Sequence, residues 1–149
     1  MAEDWLRHAA ISHKAVMKPA SIHLVSGGDQ AANTVFGDDP ARLWLAPGRG
    51  LVMGFGQAAA PGGDFVSDVT DGQAVFALID ADDIIAMATT LDPALLAPGL
   101  CAQTIFAGVK VLLWRRGDAI LLHVDRPLGN YIAAWLAQAR TALEGVAEK

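Results

Sequence analysis

Residues 109–124, VKVLLWRRGDAILLHV, restrict what this chain can fold into more than any other stretch. Two runs rich in Val, Leu and Ile flank Gly117-Asp118, a pair of residues typical of tight turns. Apolar runs of this length that are bounded by turn residues predict strands, which we place at residues 109–115 and 119–124. The stretch therefore predicts a β-hairpin made largely of apolar residues.

Turn residues divide much of the remaining sequence into further short strands. Pro47-Gly48-Arg49 separates two of them, and Thr70-Asp71-Gly72 separates two more. QAANTVFG at residues 30–37 predicts at most a short, weak helix. The predicted strands occupy residues 21–26, 42–46, 50–55, 65–69, 74–79 and 102–106.

Helical signals lie mainly in the second half of the chain. Asp80 is placed to cap a helix whose first turn carries two further aspartates, where the helix dipole favours negative charge. Asp92-Pro93 begins another short helix, with the proline at its first position. EDWLRHAA, at residues 3–10, predicts one or two helical turns. The apolar face of the helix after Asp80 consists of Ile84, Ile85, Met87 and Ala88.

The clearest element is a C-terminal helix at residues 127–143, which Asp125 is placed to cap. Its apolar positions recur three and four residues apart, as on one face of a helix. They are Leu128, Tyr131, Ile132, Trp135, Leu136, Ala139, Ala142 and Leu143.

Short antiparallel strands mixed with a few helices, without strict alternation, predict an α+β fold of antiparallel sheets flanked by helices. The segment GQAAAPGGD at residues 56–64 has small residues, Gly and Pro, and no periodicity. We therefore predict an N-terminal half at residues 1–64 and a C-terminal half at residues 65–149, which together form one compact unit.

Composition narrows the classes of function. Hydrophobic residues make up 53% of the 149 and charged residues 18%, below the usual share of about 25%. Because no stretch has the length and apolarity of a membrane span or the pattern of a signal peptide, the surplus predicts an interface with a partner subunit. The net charge of −5 argues against a nucleic-acid partner. A single cysteine excludes an internal disulfide and favours a cytoplasmic location.

Glycine and histidine patterns match no cofactor or metal motif. Gly48, Gly50 and Gly54 lie in and around strands, whereas a dinucleotide fingerprint lies between a strand and a helix. Gly27-Gly28 lacks the Lys-Ser/Thr of a P-loop. His8 and His13 are five residues apart, which is off the spacing that places two ligands on one helix face. His23 and His123 have no carboxylate or cysteine at a ligand spacing. We therefore expect the histidines to be surface residues rather than metal ligands.

The acidic and basic clusters have local explanations. Asp38-Asp39 precedes a proline, the aspartates after residue 79 begin a helix, and Arg115-Arg116 marks the end of a hairpin. Asp68 and Asp71 are the acids least explained in this way. Trp5, Trp44, Trp114 and Trp135 are predicted core residues, although Trp5 and Trp114 would also suit an interface.

Cys101 is the one candidate nucleophile. A reactive thiol needs a base or a cation that lowers its pKa, and none is adjacent in the sequence. Free cysteines are mostly buried and inert, so we predict a packing residue at the start of a strand. We assign no catalytic, cofactor-binding or metal-binding residue in this chain.

A set of short motifs in fixed order gives a further indication. They are DVTDG at residues 68–72, Leu91-Asp92, CAQT at residues 101–104, VLLWR at residues 111–115 and YIAAWL at residues 131–136. Together they resemble the gamma subunit of heterotetrameric sarcosine oxidase. RLWLAPGRGLVM, at residues 42–53, resembles the corresponding part of that family more weakly.

The resemblance implies an accessory subunit rather than a catalyst. It implies a fold like that of the folate-binding part of aminomethyltransferases, with two small ferredoxin-like halves. The partners would be the larger alpha and beta subunits and the small delta subunit of a complex that oxidatively demethylates N-methyl amines. FAD, FMN, NAD, tetrahydrofolate and zinc would belong to those partners, and this chain would bind none of them.

Two other classes of function stay open at the level of sequence. A stand-alone folate-binding protein of the wider aminomethyltransferase-like superfamily is one, although PGLCAQT lacks the Lys and Tyr of the Lys-Gly-Cys-Tyr motif in its iron–sulphur cluster assembly members. The other is an enzyme that uses Cys101.

Overall fold

A computed structural model of the protein describes residues 16–147. The predicted helical turns at residues 3–10, together with Trp5, His8 and His13, lie outside this range. The described part contains ten strands, two α-helices and three 3₁₀ turns. The α+β class with antiparallel sheets and few helices is confirmed. Neither helix in the described range is long and apolar enough to cross a membrane.

The predicted hairpin forms the centre of a five-stranded antiparallel sheet, here called sheet A. Its strands lie in the order β1, β7, β10, β9, β8. The outermost of them are β1 and β8. The bounds are Val16–Met17 for β1, Gln73–Ile79 for β7, Cys101–Phe106 for β8, Val109–Arg116 for β9 and Ala119–Asp125 for β10.

A second five-stranded antiparallel sheet, sheet B, packs against one face of sheet A. Its strands lie in the order β3, β4, β5, β2, β6. Their bounds are Ser21–Ser26 for β2, Val35–Phe36 for β3, Ala41–Ala46 for β4, Arg49–Gly54 for β5 and Val66–Asp68 for β6. Both sides of residue 64 contribute to both sheets, since β1 joins sheet A and β6 joins sheet B.

Two helices cover the opposite face of sheet A. They are α1, Asp82–Ala88, and α2, Gly129–Ala147. Because side chains alternate along a strand, β10 sends Ile120, Leu122 and Val124 to the helices and Leu121 to sheet B. The molecule therefore has two apolar layers, one between sheet A and the helices and one between the two sheets.

Several sequence predictions need correction. Residues 30–37 form no helix, because Val35–Phe36 pairs with β4 as a short edge strand and Thr34 bridges Leu100. Asp80 does not cap α1: its φ is 51°, the N-cap residue is Ala81, and no side chain caps the helix. Asp125 likewise makes no side-chain capping bond, and a 3₁₀ turn at Arg126–Leu128 precedes α2.

The apolar faces of the helices are narrower than predicted. Ile84 and Ile85 are buried in α1, and Ile132, Leu136 and Ala139 are buried in α2. Met87, Leu128 and Tyr131 are instead 52%, 36% and 49% exposed. The short helix predicted at Asp92-Pro93 is a 3₁₀ turn, Pro93–Leu95, in which the Asp92 carboxylate accepts from the Ala94 N–H.

Candidate functional site

Cys101 is the first residue of β8 and is buried between the sheets, as predicted for a packing cysteine. Its Sγ lies 3.5 Å from the carbonyl oxygen of Thr34 and 3.7 Å from that of Trp44. Burial raises the pKa of the thiol to about 11, while the hydrogen bond to Trp44 lowers it slightly. A reactive cysteine requires the opposite shift.

His123 is buried between the sheets, so the prediction of a surface histidine is wrong for this residue. The Trp114 Nε1–H donates to His123 Nε2 at 2.8 Å, and His123 Nδ1 lies 3.2 Å from Gln73 Oε1. Because Nε2 accepts, the neutral ring carries its hydrogen on Nδ1 and donates to Gln73. Burial lowers the pKa of His123 to about 3. The imidazole is therefore a satisfied neutral group and a poor general base at neutral pH.

The signal for this burial was present in the sequence. His123 stands in AILLHV, where both faces of the strand are otherwise apolar. A strand that is apolar on both faces is covered on both faces, so a polar residue within it needs a hydrogen-bond partner inside the protein. Trp114 provides that partner from the neighbouring strand.

Among the described residues, two carboxylates carry shifted pKa values, and both serve local structure. The backbone N–H groups of Phe55 and Gly56 donate to the Asp39 carboxylate and lower its pKa. The Thr70 hydroxyl and N–H donate to Asp68 and lower its pKa. His23 Nε2 lies 3.9 Å from the other Asp68 oxygen. These contacts fix turns, and they leave Asp71 outside the arrangement.

Arg115 and Arg116 are structural rather than solvated. Arg115 donates to the carbonyl oxygens of Leu96 and Pro93. The Arg116 guanidinium lies 3.6 Å from the centre of the Phe55 ring, with Asp38 at 3.7 Å. The two arginines thus connect the hairpin to neighbouring loops.

Gly27 and Gly50 also have structural roles. Gly27 accepts a hydrogen bond from Arg42 through its carbonyl oxygen, and the Arg42 side chain lies across Gly50. A Cβ at Gly50 would come within 2.8 Å of Arg42 Nε. The close approach of Arg42 therefore requires glycine at position 50.

A cleft of about 340 Å³ lies beside β1, β7 and the start of α2. Lys18, Arg126, Asp71 and Asn130 stand among its mixed polar and apolar lining residues. Within residues 16–147, no three His, Cys, Asp or Glu side chains are grouped closely enough to hold a metal ion. Among the described residues, the cleft thus holds no metal-ligating cluster.

The surface holds large apolar side chains that the packing does not explain. Phe36, Phe65 and Leu95 are each more than 60% exposed, and Ile105 is 57% exposed. Exposed apolar side chains mark an interaction surface where they form one contiguous patch, so these positions are the ones to test for subunit contact. The sequence predicted an interface from composition alone, without identifying these positions.

Neither the family models nor the curated protein sequences give a match to this chain. Solved structures, in contrast, do give matches to this chain. A chain of the heterotetrameric sarcosine oxidase from Corynebacterium sp. U-96, in complex with pyrrole 2-carboxylate, is similar with a TM-score of 0.75. The match covers 92% of this chain and 93% of that chain, at 18% sequence identity. The two chains share a fold.

Proposed function

We propose that this chain is a non-catalytic accessory subunit, equivalent to a gamma subunit, of a heterotetrameric sarcosine oxidase-like complex that oxidatively demethylates N-methyl amines. The observation that carries the proposal is the extent of the structural match, 92% of this chain and 93% of the sarcosine oxidase chain. A match of this extent spans nearly the full length of both chains, rather than one module that they share.

The chemistry of the described residues supports an accessory role. The only cysteine is buried with a raised pKa, and the most buried histidine is a satisfied neutral group. The exposed apolar side chains, in contrast, suit contact with other subunits. In the proposed complex, larger alpha and beta subunits and a small delta subunit hold FAD, FMN, NAD, tetrahydrofolate and zinc.

A tagged copy of the chain purified from its native host tests the proposal. We expect larger subunits to co-purify in fixed stoichiometry, the eluate to show flavin absorbance, and the complex to oxidise an N-methyl amine such as sarcosine. The matched control is the same chain expressed alone, which should be colourless and less stable because partners that bind the folded state stabilise it. A soluble, colourless chain recovered alone from the host would overturn the proposal.

Two further measurements separate the other classes of function. Titration of the isolated chain with tetrahydrofolate should give no saturable binding, whereas a stand-alone folate-binding protein would bind it. The complex that carries Cys101→Ser should retain its amine oxidation rate. A loss of turnover with assembly intact would assign chemistry to the thiol and contradict the accessory role.

A further inference from the structure

β8, Cys101–Phe106, is an edge strand of sheet A and pairs on one side only with β9. Two hydrogen bonds show which of its backbone groups point away from β9. The Cys101 N–H donates to the carbonyl oxygen of Asn33, and the Ala107 N–H donates to that of Ala88. Because N–H directions alternate along a strand, Gln103 and Ile105 also direct their N–H and C=O groups away from the sheet.

The turn after β8 supports the same assignment. Ala107 and Gly108 form a two-residue hairpin loop with φ values of 50° and 89°, as in a type I′ turn. Phe106 and Val109 are paired across this loop, and they form its closing hydrogen-bonded pair. The residues with inward N–H groups are then Ala102, Thr104 and Phe106.

The open part of the edge is short and bounded. Asn33 occupies it at one end and Ala88 at the other, about 20 Å apart along the strand at 3.4 Å per residue. Within residues 16–147, no hydrogen bond to the outward backbone groups of Gln103 or Ile105 is present. Four backbone donors and acceptors therefore face outward between two fixed ends.

Exposed apolar side chains surround this open edge. Ile105 lies on the face of sheet A that is directed to sheet B, beyond the area that sheet B covers, and is 57% exposed. On the helix side, the Tyr131 hydroxyl donates to the carbonyl oxygen of Ala107 while 49% of the residue stays exposed. Met87, next to Ala88, is also exposed. An added strand would thus find apolar contacts on both faces.

The charge beside the edge is positive. Lys110 is paired with Ile105 across the hairpin, is exposed, and forms no ion pair with a described residue. Residues 101–110 contain no Asp or Glu. A second copy of this chain would therefore place no carboxylate against Lys110 through the same edge.

We propose that the open edge of β8 at Gln103 and Ile105 binds an extended segment of a partner subunit, which joins sheet A as an additional strand. The segment carries an apolar side chain against Ile105 and a carboxylate beside Lys110. This inference rests on the proposed function, since it identifies one surface by which the accessory subunit contacts its complex. Strand addition derives affinity from main-chain hydrogen bonds and specificity from alternate side chains.

Amide exchange at single-residue resolution, in the isolated chain and in the assembled complex, tests the pairing. We expect the Gln103 and Ile105 amides to exchange rapidly in the isolated chain and at least tenfold more slowly in the complex. The Thr104 amide, which points to β9, is the internal control and should be protected in both. Equal exchange of Gln103 and Ile105 in the two states would overturn the proposal.

Three substitutions test the surface in the complex. Ile105→Pro removes only an outward N–H, which an edge strand tolerates, and should weaken assembly by about tenfold or more. Lys110→Glu should weaken it less. Ile105→Lys preserves the backbone, so it tests the apolar contact if the proline variant does not fold.

Arg49→Glu is the matched control for Lys110→Glu, because Arg49 is an exposed basic residue on β5 of the other sheet. It should leave this contact unchanged. Wild-type assembly together with unimpaired Ile105→Pro and Ile105→Lys complexes would overturn the β8 proposal alone. Failure of the wild-type chain to assemble with flavin-containing subunits would overturn the proposed function and, with it, this inference.

Discussion

The two apolar layers on either side of sheet A differ in chemistry. The layer beneath the helices contains aliphatic and aromatic side chains such as Phe106, Leu113 and Ile132. The layer between the sheets also holds Cys101 and the Trp114–His123 hydrogen bond. The helix-side layer therefore stabilises the fold through packing alone. The stability of the inter-sheet layer also depends on the protonation states of Cys101 and His123.

The largest effect is expected from a cavity in the helix-side layer. Phe106 is fully buried, and its ring centre lies 5.2 Å from that of Trp135 in an edge-on arrangement. Phe106→Ala should lower the free energy of unfolding by about 3–5 kcal/mol, measured by urea denaturation. Ile105→Ala, at the exposed neighbouring position, should change it by only about 0.5 kcal/mol. Similar losses at both positions would contradict the assigned burial.

The inter-sheet layer should respond to loss of its hydrogen bond. His123→Leu leaves the Trp114 N–H buried without an acceptor, and Trp114→Phe leaves His123 Nε2 without a donor. Each should cost about 1–3 kcal/mol of unfolding free energy. The double variant should cost less than the sum of the two, which a double-mutant cycle measures. Additive costs would show that the two side chains are not coupled.

Acid should destabilise the inter-sheet layer through His123. Its pKa in the folded protein is about 3, below the ordinary value of 6.5, so the folded state binds the proton less well than the unfolded chain. The stability that depends on neutral His123 is complete above pH 6.5 and is lost as the pH falls towards 3. The slope approaches about 1.4 kcal/mol per pH unit. His123→Gln should flatten the thermal-unfolding profile over this range.

Alkali should destabilise the same layer through Cys101, by a smaller amount because the shift in pKa is smaller. The thiol pKa is about 11 in the folded protein against an ordinary 9.0. The associated stability is therefore complete below pH 9 and is lost as the pH rises towards 11. Melting temperatures of the wild type and Cys101→Ala should converge across this interval. Parallel profiles would show that another group titrates.

Much of the sheet architecture was predictable because each strand carries its own signal. Apolar runs between Gly, Pro and Asp turns placed β2, β9 and β10 to within about two residues. β1 and β3 were missed because each has only two residues, too few to carry a pattern of its own. β1 forms by pairing with the distant β7, and β3 forms by pairing with the next strand, β4. The division at residue 64 remains a prediction.

The properties of single side chains were harder to predict than the elements. A helical repeat identifies a face, but the width of the buried part depends on how far sheet A extends beneath the helix. Met87 and Tyr131 lie at its border for that reason. The open edge of β8 likewise depends on where Asn33 and Ala88 end their contacts, which no local pattern specifies.

The placement of β6 has a consequence for synthesis on the ribosome. β2 to β5 emerge first, and β2 then has β5 on one side and no neighbour on the other. That edge remains open until residues 66–68 emerge and Asp68 reaches its register opposite His23. Unpaired strand edges are aggregation-prone in nascent chains, so a pause in translation after residue 64 would prolong the interval in which this edge of β2 is exposed.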